Sequence, residues 1–195
     1  MAFEQKCDTR VAVMMADGLE MIEGLTVVDV LYRAGLPCDT VSVGESRIVT
    51  SSHEVPITCA RTIHDEGFSF DEYDVLVLPG GVPGTPNLRA CQPLCDALVR
   101  FCDAGKLVCA ICAAPSILAE LDLLEGLHAT SFPSRRDVLV EHGAVYEDEY
   151  TVVLDDNVIT SQGMGTALDF AYMIVAQILD DDAADAIADS IMDVG

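Results

Sequence analysis

A chain of 195 residues with 51% of them apolar is long enough to bury one sizeable core and too apolar to remain disordered. No run approaches the roughly 20 apolar residues of a membrane span, and the opening Met1-Ala2-Phe3-Glu4-Gln5-Lys6 lacks the basic-then-apolar pattern of a secretory signal. With 33 acidic residues against 10 basic, the net charge of −23 repels phosphate backbones and anionic lipid, so neither nucleic acid nor a membrane is an expected partner.

The first apolar run, residues 10–15, ends at Asp17-Gly18 and reads as a buried strand and turn. Met21, Leu25, Val28 and Tyr32 recur at helical spacing up to a stop at Gly35. Residues 39–44 read as a second strand, and residues 47–58, alternating and containing Pro56, as edge strands or a hairpin. Residues 74–79 form a strand running into Gly80-Gly81, followed by a helix over about 93–103. A strand over 106–111 leads into a helix over 113–124, then a short strand at 128–131 and a helical turn or two at 134–141. Residues 145–161 look like two antiparallel strands around Asp155-Asp156-Asn157. The last strong helix spans 166–179, with a short acidic helix over 183–192. Strands alternating with helices predict an α/β domain over residues 1–195, its mostly parallel sheet covered on both faces. Ligands in such sheets bind at the carboxyl ends of the strands. Three of those ends carry unusual chemistry: the turn before Glu23, Gly80-Gly81, and Cys112.

Eight cysteines in a chain of this size, with no secretory signal, read as reduced thiols of a cytoplasmic protein rather than as disulfides. Cys112 stands apart, because it lies where an apolar strand gives way to a helix, between Ala110, Ala113 and Ala114. A nucleophile on such a tight turn projects above the sheet, and the amides beyond it stabilise a thiolate or an oxyanion. Position alone leaves open that Cys112 is a small apolar core residue. Cys109 completes a C-x-x-C pattern, but three residues of strand place it on the opposite face. Cys91, Cys95 and Cys102 share a helical stripe with Leu98 and read as core packing. The four histidines, His53, His64, His128 and His142, show no ligand spacing, so neither a metal nor a cofactor is expected.

Several segments together resemble the DJ-1/ThiJ/PfpI superfamily. Residues 17–23, ending in Glu23, are similar to that family's GxEExE start, and residues 27–35 to the helix that follows it. Leu78-Pro79-Gly80-Gly81 resembles its LPGG loop, and Ala110-Ile111-Cys112-Ala113-Ala114-Pro115 its AICAGP elbow. Residues 160–166 resemble its TSxGPGT turn. The resemblance implies a flavodoxin-like three-layer sandwich and a homodimer. It assigns Cys112 as nucleophile or redox-sensing thiol and Glu23 as the carboxyl group bonded to that sulfur. Gly80, Gly81 and Ala113 would line an oxyanion-type site. Without the resemblance, Glu23 reads as an ordinary solvated first-turn glutamate. An ionised carboxylate would raise the thiol pKa, so the pair works only if one proton is shared.

Two departures from the family pattern matter. Ala113 replaces the histidine that follows the cysteine in the protease and chaperone branches, which removes a Cys–His dyad. Phe132 takes the place of a histidine found near the cysteine in some DJ-1 relatives, as in bacterial ThiJ-like members. Arg33 and His53 are expected at the site's periphery through the dimer contact. Four functions follow as expectations. The first is an enzyme acting on small reactive carbonyls, glyoxalase- or deglycase-like, with Cys112 as nucleophile and Glu23 as proton shuttle. The second is a non-enzymatic oxidative-stress sensor or chaperone working through Cys112 oxidation. The third, thiazole monophosphate (thiamine) biosynthesis, is a family label with no matching phosphate site. The fourth, a glutamine amidotransferase, needs a downstream His–Glu pair that His142-Gly143 does not supply.

Overall fold

The computed structural model describes residues 3–193. In chain order it contains β1 (Val11–Met15), α1 (Met21–Ala34), β2 (Cys38–Ser42), β3 (Ile48–Thr50), β4 (Pro56–Thr58), β5 (Arg61–Thr62), β6 (Val75–Leu78), α2 (Gly84–Arg89) and α3 (Gln92–Asp103). These are followed by β7 (Leu107–Ile111), α4 (Pro115–Ala119), β8 (His128–Ala129), α5 (Arg136–Glu141), β9 (Val145–Tyr146), β10 (Val152–Asp155), β11 (Val158–Ser161), α6 (Ala167–Ile178) and α7 (Asp181–Ser190). The main sheet has the order β10-β11-β7-β6-β1-β2-β5. Every pairing in it is parallel except β10 with β11.

The sequence of β1 shows why this sheet is buried on both sides. All five residues of Val-Ala-Val-Met-Met are inaccessible. Val11, Val13 and Met15 pack toward α1, α6 and α7, among Val27, Phe170, Ile174 and Ile187. Ala12 and Met14 point the other way, toward Leu94, Leu98, Ile117 and Leu139 of α3, α4 and α5. The period of two along an entirely apolar strand thus divides one run between two helical layers. The chain moves from β1 outward to β2 and then returns to β6 on β1's other side. The switch point therefore falls between β1 and β6, with β7 beside it. The loops after these three strands carry the residues singled out above.

Three sequence expectations are corrected. The helix expected over 113–124 is only the five residues of α4. Pro115 opens it, and the chain leaves it through Asp122 at φ 58, with Asp122 N–H donating to Ala119 O and Leu123 N–H to Leu118 O. Of residues 145–161, only β10 and β11 form the expected antiparallel pair; β9 leaves them and pairs in parallel with β8. The Gly/Pro-rich stretch after Gly81 hides the short helix α2. Residues 47–58 do form a hairpin, β3 with β4, whose Val49 reaches the core.

Candidate active site at the carboxyl ends of the strands

Cys112 follows β7 directly and adopts φ +65, a left-handed conformation that costs a non-glycine residue roughly 1–2 kcal/mol. The surrounding backbone holds it there. Its N–H donates to Ser161 O (2.9 Å) at the end of β11, and its carbonyl accepts from Phe132 N–H (2.7 Å). The side chain remains half-buried, so the thiol is reachable. The left-handed turn also brings Cys112 against the same apolar cluster as Cys109, which corrects the expectation of opposite faces.

Glu23, in the first turn of α1, is only 1% exposed, where a first-turn glutamate would ordinarily face water. The Gly80 loop crosses over it. Gly80 N–H donates to Glu23 Oε2 (2.8 Å), while Gly80 O accepts from Glu20 N–H (2.9 Å). A Cβ on Gly80 would lie 2.7 Å from Cys112 Cβ and 2.9 Å from Glu23 Oε2, so only glycine fits between the thiol and the carboxyl. Gly81 sits at φ +98, and a Cβ there would fall 2.3 Å from Glu20 N. Its N–H, together with that of Ala113, acts on the Cys112 sulfur to favour the thiolate. The expected set Cys112, Glu23, Gly80, Gly81 and Ala113 is therefore brought together.

Burial pushes the Glu23 carboxyl up to about 7, with neighbouring Glu20 adding to the rise, against opposing hydrogen bonds from Cys112 and Gly80. With Glu23 ionised, burial and then the carboxylate's charge and hydrogen bond hold the Cys112 thiol up at about 12, while the Ala113 and Gly81 amides work the other way. Glu23 Oε1 has no hydrogen-bond partner of good geometry. Cys112 and Glu23 are close enough to shift each other's titration, without a well-aligned hydrogen bond between them. With the proton on Glu23 the repulsion disappears, and a carboxyl O–H is available to the sulfur.

Phe132, 49% exposed, lies at the mouth of the site. Gly163, a residue sequence reasoning left out of the site, faces the same notch. A Cβ on it would lie 3.5 Å from Phe132 Cδ2, 3.9 Å from Cys112 Sγ and 4.0 Å from Glu23 Oε1. The signal was present, since Gly163 belongs to the turn at 160–166 that resembled the family. His53 stands on the rim, with Nδ1 3.7 Å from Glu20 Oε2. Arg33 is ten residues along α1 from Glu23, about 15 Å by helical rise, and pairs with Asp29 (2.7 Å). Within one chain it does not reach the site. A cleft of about 690 Å³ lies near Asp17, Gly44, His64 and Asn87 and excludes Cys112. The reactive groups define the site here better than volume does. Among the described residues, no group of three or more His, Cys, Asp or Glu side chains is placed to hold a metal ion, and no helix is long and apolar enough to cross a membrane.

A doubly wound α/β sandwich with a strained cysteine elbow over a buried glutamate defines a flavodoxin-like cysteine protein. The DJ-1/PfpI family profile matches residues 9–177, and the chain belongs to that family. It is 36% identical over 166 residues to protein dj-1beta of Drosophila melanogaster, covering 85% of this chain and 87% of that one. It is 32% identical over 189 residues to the glutathione-independent glyoxalase DJ-1 of Schizosaccharomyces pombe, covering 93% and 97% respectively. The crystal structure of Drosophila melanogaster DJ-1beta superposes with a TM-score of 0.89 at 33% identity, covering 95% of this chain and 98% of that one.

Proposed function

We propose that this protein converts small reactive carbonyls such as methylglyoxal to hydroxy acids, with Cys112 as nucleophile and Glu23 as proton shuttle. The observation that carries this reading is a reachable thiol at φ +65 facing the one unpartnered oxygen of a buried carboxyl whose pKa burial lifts to about 7. A group poised there both gives and takes protons near neutral pH. The Cys112 thiolate adds to the aldehyde carbon, and the resulting oxyanion lies near the Gly81 and Ala113 amides. Glu23 takes the proton from that carbon and returns one to the neighbouring carbonyl carbon, leaving a thioester of lactate. Water cleaves the thioester and restores the thiol, so the sum is methylglyoxal plus water giving lactate. The relative named a glyoxalase supports the same chemistry. Lactate formation by protein purified free of host enzymes tests this: wild type turns over and Cys112→Ser does not. Equal rates would sink it.

The same two amides and the Glu23 proton would also hold a sulfinate on Cys112, which supports oxidative sensing as a second reading. That reading gains if wild type forms no lactate yet oxidises selectively at Cys112. We also propose a homodimer formed through α1, whose Ile22, Leu25 and Tyr32 form an exposed apolar stripe. Such a contact could bring the partner's copy of this helix end toward the site. Light scattering showing only a 20.8 kDa species would exclude it.

A further inference from the structure

Behind the cysteine elbow, on the α3–α5 side of the sheet, α2, α4 and the turn before α5 enclose a pocket of about 380 Å³. It shares no lining residue with the Cys112 notch. Thr85, Arg89, Ser116, Ile117, Glu120 and Arg135 line it. Two of its donors are left over. Thr85 is 4% exposed, and its hydroxyl has no hydrogen-bond partner. Arg135 Nε is buried and likewise unpartnered.

The surplus at Arg135 is unusual for this chain, which has 33 acidic residues for 10 basic ones. Among the described residues Arg10, Arg33, Arg47, Arg61, Arg89 and Arg136 find carboxylates; Arg100 and Arg135 do not, but Arg100 is exposed to water whereas Arg135 holds a buried, unpartnered N–H. A buried guanidinium N–H without an acceptor is costly, and a chain this acidic has carboxylates to spare. The other polar groups of the pocket are already engaged. Ser116 donates its hydroxyl proton to Ala113 O (2.8 Å), and Arg89 Nε donates to Glu120 Oε2 (2.9 Å). Glu120 sets the outer limit, because its carboxylate repels a ligand that rides too close to the α4 side.

We infer that the pocket between α2, α4 and Arg135 is a second site that binds a small metabolite through an oxyanion group, a phosphate ester or a carboxylate. Arg135 supplies the charged fork and Thr85 a hydroxyl donor at the floor. Arginine's planar fork suits an oxyanion better than a chloride ion. The volume, at the low end of ligand pockets, fits a molecule of metabolite size. Ser116 ties the pocket to the carbonyl of Ala113, and Arg135 N–H donates to Phe132 O (2.8 Å), so occupancy touches both flanks of the elbow from behind.

Calorimetric titration with inorganic phosphate, and separately with acetate, at ionic strength fixed with chloride, tests the inference. Wild type is expected to bind at least one of the two saturably; the phosphate arm points to phosphate esters and the acetate arm to carboxylates. Arg135→Gln should weaken that binding about tenfold or more, the loss that goes with one charge-assisted hydrogen bond. Thr85→Val, close in shape, should weaken it less, and Arg135→Lys should fall between wild type and the glutamine variant. Circular dichroism melts establish that each variant is folded. No saturable binding of either anion to wild type, or equal binding by folded Arg135→Gln, would overturn the second site.

Discussion

Replacing Glu23 with glutamine isolates the energetic consequence of burying that carboxyl. In the unfolded chain the group titrates at its ordinary 4.5, and in the folded protein burial holds it at about 7. Between these two pH values the folded state keeps a proton that the unfolded state has released. The folded state therefore binds more protons, and stability falls as pH rises through the window. The effect is absent below about 4.5 and complete above about 7; the gap between the two values corresponds to about 3 kcal/mol. Glutamine has no such titration and can still accept from Gly80 N–H through its amide oxygen. Urea midpoints measured from about pH 4 to about pH 8 should therefore show wild type losing about 3 kcal/mol relative to Glu23→Gln. Parallel profiles for the two proteins would mean that Glu23 is solvated and already ionised at low pH, and the argument from its burial would fail.

Gly163→Ala should leave the melting temperature nearly unchanged, since its new Cβ meets neighbours only at 3.5 Å and beyond. The methyl group should nevertheless fill the notch between Phe132, Cys112 and Glu23, slowing reaction of Cys112 with a bulky disulfide reagent more than with iodoacetamide; an unchanged ratio of the two rates would place the notch elsewhere. Limited peroxide followed by peptide mass mapping should find the first sulfinic acid on Cys112. Burial is the main force raising Cys59, Cys102 and Cys109, as it is for Cys112, but of these only Cys112 also has a proton-sharing carboxyl and the opposing amides of Gly81 and Ala113. First oxidation at Cys91, Cys95 or Cys102 would contradict the assignment.

The central strands were legible because burial on both faces demands an unbroken apolar run, and residues 11–15, 75–78 and 107–111 supply one each. The end of α1 was legible because Gly35 takes the left-handed cap at φ 73, its N–H donating to Leu31 O and Tyr32 O. The short length of α4 was not, because Asp122 enters the left-handed region without a glycine to announce it. The pairing of β9 with β8 was not legible either, since two-residue strands carry no period. At the site, residue types and spacing picked out Cys112 and Gly80-Gly81. The burial of Glu23 was not readable from α1 itself, because it is produced by a loop more than fifty residues away in the chain, through the Gly80 N–H bond. The turn that holds Gly163 stood out in the sequence but its role did not, because that role is the space its missing side chain leaves between three residues from three other segments. The Arg135 pocket was invisible in sequence, since an unpaired arginine shows only once every possible partner has been placed.

The claim on which the account depends is that Glu23 and Cys112 share one proton, and thiolate absorbance against pH tests it most directly. Cys112→Ser serves as the blank that removes the other seven thiols from the signal. In wild type the Cys112 thiolate should appear in two steps, a partial rise near the raised Glu23 value of about 7 and completion toward about 12. In Glu23→Gln, with neither a shared proton nor a carboxylate charge, it should appear in a single step between those limits. Superimposable single-step curves for the two proteins would mean that the pair does not exist, and the proposed carbonyl chemistry would lose its proton shuttle.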